Sequence, residues 1–142
     1  MKVIIASILF LMSSIIHCYS DELIDLRKLN LSDEDELIYA SKRCASVSLV
    51  MLLRVRDKND QDLNRNLTDK YRFFSKMAGV LSIEGKTENL TEYINQSTDD
   101  IKSISYIYGK IVDDNYLLTG KTIPDIVNID SIFCNTLYIN AK

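Results

Sequence analysis

Residues 37–55 read LIYASKRCASVSLVMLLRV, and their spacing is the clearest indication of the fold. Side chains that recur at steps of three and four lie on one face of a helix. The members of this stripe are Leu37, Ser41, Cys44, Ser48, Met51 and Val55, flanked by Ile38, Ala45 and Leu52. Small residues at positions 41, 45 and 48 allow a second helix to approach closely. We therefore predict a tightly packed helix here, and we expect Ser32 to cap it with Asp35 completing a capping box.

Three more stretches show the same helical spacing. The second stripe is Leu63, Leu67, Tyr71, Phe74, Ala78 and Leu81, and Gly85 is its expected end. The third, capped near Thr87, contains Leu90, Ile94, Ser97, Ile101, Ile104, Tyr108, Ile111 and Leu118, with Gly109 as the expected bend or break. The fourth follows Pro124 and contains Ile126, Ile129, Phe133 and Leu137. The sequence predicts an all-α protein, an antiparallel bundle of about four helices.

The first twenty residues have the layout of a signal peptide. One positive charge at Lys2 is followed by an apolar run from Val3 to Ile16, and small residues precede a cleavage position after Ser20. The run is shorter than the roughly 18 to 20 apolar residues that span a bilayer, so a retained anchor is the weaker alternative. A lipoprotein modified at Cys18 is another alternative. We expect residues 1–20 to be removed and residues 21–142 to form a single domain with no stable membrane span.

Two cysteines, Cys44 and Cys134, remain after that cleavage. An even number of cysteines in an exported protein favours a disulfide bond. The bond would close a loop of roughly 90 residues, for which the chain-entropy model gives about 4 to 5 kcal/mol of stabilisation. Two buried free thiols are the alternative.

The composition excludes several classes of function. The 17 basic residues become 16 without Lys2, against 20 acidic ones, so the net charge is −4 and we expect no nucleic-acid partner. The single histidine, His17, also leaves with the signal peptide, which removes histidine-dependent catalysis and histidine-ligated metals. Four scattered glycines provide no phosphate-binding loop. We therefore expect no cofactor, no metal site and no enzymatic activity.

Two other groups of residues are candidates for function. Tyrosines commonly supply contact area at interfaces, and the candidates for a partner surface are Tyr39, Tyr93, Tyr106 and Tyr116. Asn-x-Ser/Thr sequons begin at Asn30, Asn66, Asn89 and Asn95, and would be glycosylated only in a eukaryotic secretory pathway. The adjacent acids Asp99-Asp100 and Asp113-Asp114 are the candidates for a carboxylate-based hydrolase, which needs two carboxyl groups facing each other across a cleft.

Three segments carry a resemblance to other proteins. Lys42-Arg43-Cys44-Ala45, the segment from Tyr71 to Met77, and Asp130-Ser131-Ile132-Phe133-Cys134 resemble, in their spacing, small exported two-cysteine helical proteins of marine alphaproteobacteria. The resemblance implies an envelope location and paired cysteines, and it implies no activity.

These observations lead to three hypotheses of function. The first is a periplasmic or secreted, non-enzymatic binding or structural accessory protein of the cell envelope, with a protein as its partner. The alternative is a secreted effector or toxin-like protein of a host-associated organism. The third is the carboxylate-based hydrolase.

Overall fold

A computed structural model describes residues 23–55 and 60–141 of the chain. The described part consists of helices α1 (Glu34–Val55), α2 (Gln61–Ile83), α3 (Leu90–Thr119) and α4 (Asp125–Asn140), preceded by a short 3-10 helix, Leu26–Lys28. No strand occurs among these residues, and the predicted all-α fold with four helices is confirmed. The predicted signal peptide, residues 1–20, lies outside the described residues.

Helix α1 is the central element of the bundle. It packs against α2, α3 and α4. Between Ala40 and Val50 every residue except Lys42 and Leu49 is buried, so this segment is surrounded on nearly all sides. The small side chains predicted to admit one neighbouring helix therefore admit three, because short side chains on several faces reduce the distance between helix axes.

The serines of α1 are buried with their hydroxyl groups satisfied. Ser41, Ser46 and Ser48 each donate a hydrogen bond to the backbone carbonyl four residues earlier, at 2.8 Å. The Ser46 hydroxyl also lies 2.9 Å from the Ile101 carbonyl of α3. Because a serine in a helix can satisfy its own hydroxyl in this way, a serine-rich segment can occupy the centre of a bundle without orphaned polar groups.

The starts of two helices differ from the predicted positions. Asp33, not Ser32, caps α1, and its carboxylate accepts the backbone N–H of Glu36 at 3.1 Å. Helix α3 begins after Asn89, whose φ is +56°, and not near Thr87. At α1, Ser32 and Asp33 have similar capping propensity, so local sequence does not distinguish between them. At α3 the Asn89 side chain makes no capping hydrogen bond.

Helix α3 is continuous through Gly109, and the predicted break there does not occur. Its 30 residues make it about 45 Å long, against about 35 Å for α2. Beyond Val112 every residue of α3 except Asn115 is exposed. The assignment of Leu118 to the core is therefore wrong: its side chain is 85% exposed, because the helix extends past its neighbours.

The predicted disulfide bond is present. It joins Cys44 of α1 to Cys134 of α4, with the two Cα atoms 5.3 Å apart and both side chains buried. Next to it in the core, Tyr138 of α4 packs edge-on against Phe73 of α2, with ring centroids 5.2 Å apart. The shortest of the four helices is thus held to α1 covalently and to α2 by aromatic packing.

Replacing both cysteines by serine, C44S/C134S, should lower the free energy of unfolding by about 4 kcal/mol, because the unfolded chain regains the entropy of a long open loop. Urea unfolding followed by far-UV circular dichroism measures this loss. Dithiothreitol should destabilise the wild-type protein and leave the double variant unchanged. Equal stability of the oxidised wild type and the double variant would contradict a stabilising bond.

Candidate functional site

The interior of the bundle contains a charged cluster, formed by Arg43 of α1, Tyr108 of α3 and Asp130 of α4. All three side chains are buried. The Arg43 guanidinium forms an ion pair with the Asp130 carboxylate through Nη2 and Oδ2. The Tyr108 hydroxyl donates to the same carboxylate oxygen and accepts a hydrogen bond from Arg43 Nε at 2.7 Å. One contact set therefore ties three helices together.

A further nitrogen of Arg43, Nη1, reaches both the segment that precedes α1 and a tyrosine of α1 itself. It donates to the backbone carbonyl of Ile24 at 2.5 Å and to the Tyr39 hydroxyl at 3.2 Å. The rings of Tyr39 and Tyr108 also flank the guanidinium, with their centroids 5.6 and 5.5 Å from its Cζ atom. The cation is thus matched by an anion, two phenol oxygens, a carbonyl and two aromatic faces.

The electrostatics of the cluster keep Tyr108 protonated and Arg43 charged. Burial raises the pKa of Tyr108 well above its usual range, and the Asp130 carboxylate adds to that effect against the opposing charge of Arg43. Burial lowers the pKa of Arg43, but Tyr108, Tyr39 and Asp130 together outweigh it, so that this pKa is raised. A protonated phenol can donate to the carboxylate, which is the hydrogen bond observed.

The chemical role of this cluster is structural. Arg43, Tyr108 and Asp130 are each at most 1% exposed, so a dissolved substrate has no access to them. A buried ion pair holds its two helices in register because a displaced charge would lie unpaired in a medium of low polarity. We assign the cluster to positioning α3, α4 and the N-terminal segment around α1.

The four predicted contact tyrosines do not form one surface. Tyr39 is half-buried against Arg43, whereas Tyr106 is 77% exposed. Tyr93 and Tyr116 lie in the first and last turns of α3, about 35 Å apart along its axis. A partner surface made from all four therefore requires a large ligand, and Tyr106 and Tyr116 are the members most available for contact.

Three of the adjacent acidic residues of α3 form ion pairs with lysine or arginine side chains. Asp99 pairs with Lys102 at 2.8 Å, Asp100 with Lys42 at 2.6 Å, and Asp113 with Arg54. These pairs connect α3 to itself and to α1. The carboxylate-based hydrolase stays a prediction, and these ion pairs do not support it.

The predicted glycosylation sequons occupy the surface. Their asparagines, Asn30, Asn66, Asn89 and Asn95, are all exposed. A glycan on any of them would extend into solvent without displacing core side chains.

The projecting end of α3, residues 113–119, carries the most exposed large apolar side chains of the described chain. Leu117 and Leu118 are 82% and 85% exposed, and Tyr116 is 58% exposed. At the start of this end, Asp113 forms an ion pair with Arg54 of α1. Apolar side chains on a rigid helix that leaves the bundle are a feature of binding surfaces.

The chain matches no protein-family model, and no curated protein or solved structure is significantly similar to it. Within residues 23–55 and 60–141, no group of three or more His, Cys, Asp or Glu side chains is arranged to hold a metal ion. None of the helices described is long and apolar enough to cross a membrane.

The buried cluster was missed by the sequence analysis, although a signal for it exists. Arg43 directly precedes Cys44, and Asp130 lies one helical turn before Cys134. When the two cysteines form a disulfide bond, the opposite charges beside them are brought close together. Neither Arg43 nor Asp130 belongs to a predicted apolar stripe, so helical spacing alone predicts that both are exposed.

Replacing Asp130 by asparagine should lower the free energy of unfolding by about 3 to 5 kcal/mol, because the buried Arg43 guanidinium loses its counter-charge. The exposed Asp114 is the matched control: Asp114→Asn should change stability by less than about 0.5 kcal/mol. Both values come from urea unfolding of the oxidised proteins. An Asp130→Asn variant as stable as the control would show that the pair contributes nothing.

The raised pKa of Tyr108 predicts a loss of stability in alkali. The unfolded chain loses the tyrosine proton above about pH 10, whereas folded Tyr108 retains it, so the folded state is disfavoured as the pH rises further. The free energy of unfolding, measured from pH 8.5 to 11, should therefore fall more steeply for the wild type than for Tyr108→Phe. Parallel curves would contradict this account.

Proposed function

We propose that this protein is an exported, non-enzymatic binding or accessory protein of the cell envelope, and that the projecting end of α3 contacts its protein partner. The observation that carries the proposal is the exposure of Leu117 and Leu118 on a helix that continues past the bundle. Burying a leucine side chain fully contributes about 1.5 to 3 kcal/mol, and the folded chain leaves most of that contribution unused.

The chemistry of the projecting end suits a protein partner. Tyr116, Leu117 and Leu118 occupy consecutive positions, so their side chains point about 100° apart around the last turns of α3. A partner that contacts all three must therefore surround this end of the helix. Aromatic and aliphatic anchors of this kind account for much of the affinity at protein interfaces. A preformed helix also avoids most of the entropy cost of ordering a binding segment.

The rest of the fold supports a role outside the cytoplasm. The Cys44–Cys134 bond is of a type that persists in oxidising compartments. The predicted signal peptide at residues 1–20 points in the same direction, as does the resemblance to small exported two-cysteine proteins. Periplasm and extracellular space are both compatible with these features.

A secreted effector of a host-associated organism is the second candidate, favoured by the exposure of all four sequon asparagines. It requires that the protein passes through a eukaryotic secretory pathway. Occupied glycans at Asn66 or Asn89 on the native protein, detected by peptide mass spectrometry, would support this candidate. Unmodified asparagines would count against it.

Pull-down with the tagged, oxidised protein tests the contact surface. The native envelope or secreted fraction supplies the partner, and native mass spectrometry gives the stoichiometry. We expect Leu117→Ser/Leu118→Ser to reduce recovery of a stoichiometric partner at least tenfold, because the apolar anchors are lost. The substitutions should leave the circular dichroism spectrum unchanged, since neither side chain belongs to the core.

The matched control for this experiment is Ile132→Ser/Ile139→Ser on α4, where the two side chains are 60% and 62% exposed. This variant removes as many exposed apolar side chains from another surface and should retain the partner. Equal loss of the partner in both variants would contradict the proposed contact. Undiminished recovery of the partner by Leu117→Ser/Leu118→Ser would contradict it as well.

A further inference from the structure

A small, largely enclosed cavity of about 90 Å³ lies between α1, α2 and α3. Its walls combine apolar side chains, hydroxyl-bearing side chains and one charged residue, Lys102. The apolar part includes Leu49, Ile94 and Ile101, and the polar part includes Ser75 and Ser97. This space is separate from the buried charged cluster and from the projecting end of α3.

The two serines that face the cavity lack hydrogen-bond partners. The hydroxyl oxygens of Ser75 and Ser97 are shielded from solvent and bond to none of the described residues, and the whole Ser97 residue is 2% exposed. Other helical serines, such as Ser82 and Ser105, donate to the carbonyl four residues earlier. Two buried hydroxyl groups on facing helices thus have no partner among residues 23–55 and 60–141, and they are available to a bound molecule.

Gly79 is a third feature of the same space. It lies one turn after Ser75 in the interior of α2, and a Cβ atom added there would meet no other atom within 4 Å. Glycine is unfavourable inside a helix relative to alanine, and its φ here does not require it. The missing side chain enlarges the cavity beside the two hydroxyl groups.

We propose that this cavity is a binding site for small hydroxylic molecules, with water as its resident occupant and short-chain alcohols as ligands. At about 30 Å³ per molecule, the volume accommodates about three waters. An alcohol of four non-hydrogen atoms is of similar size. Its hydroxyl group can donate to one serine and accept from the other, while its carbon chain contacts the apolar wall.

Nuclear magnetic resonance of the oxidised wild-type protein tests occupancy directly. We expect nuclear Overhauser effects from long-lived water to the resonances of Ser75 and Ser97. Titration with 2-propanol should then shift the resonances of Ile94 and Ile101 saturably and weaken the water signals. Water signals without a response to 2-propanol would overturn the assignment of alcohols as ligands of this cavity.

The serine variants give an independent test, because the midpoint of urea unfolding shifts in opposite directions for a hydrated and a dry cavity. In a hydrated cavity, Ser75→Ala and Ser97→Ala remove hydrogen bonds to bound water and lower the midpoint of urea unfolding. In a dry cavity they remove orphaned hydroxyl groups and raise it. The exposed Ser103 provides the control, because Ser103→Ala measures the gain in helix propensity alone. A midpoint above that of the control, together with no water signals, would overturn the proposal.

Discussion

The buried ion pair between Arg43 and Asp130 is the constraint on which the rest of the bundle depends. A guanidinium group without solvent contact is tolerated only when its charge and its donors are matched. Here the matching groups come from α3, from α4 and from the backbone at Ile24, so each of these elements must occupy one position relative to α1. Apolar packing alone would allow neighbouring registers of similar energy, whereas the cluster penalises every register that separates its members.

The covalent and the electrostatic constraint act on the same two helices. Arg43 adjoins Cys44, and Asp130 precedes Cys134 by one turn, so the disulfide bond and the ion pair reinforce a single α1–α4 arrangement. This reinforcement matters because α4 is the shortest of the four α-helices. The bond limits how far α4 can separate, and the ion pair selects its register. The combination gives the bundle a defined interior.

Successive segments of α3 contribute side chains first to the interior of the bundle and then to its surface. Ser97 contributes to the cavity, Tyr108 to the charged cluster, and Leu117 to the projecting end. The middle segment is anchored by the cluster, which gives the projecting end a fixed base. A binding protein benefits from this design because the contact residues are held in place before the partner arrives. The proposed function and the proposed cavity therefore use different parts of one helix.

The helical class, the number of helices and the disulfide pair follow from the order of the amino acids, because helical spacing and an even cysteine count can be read without knowing the tertiary structure. The amino-acid order did not determine every buried position: Leu118 continues the apolar stripe and yet is exposed, and Arg43 has the character of a surface residue and yet is buried. Burial depends on where neighbouring helices end and on which charges meet across the core. These are properties of the tertiary structure, since the residues concerned are as far apart in the chain as Arg43 and Asp130.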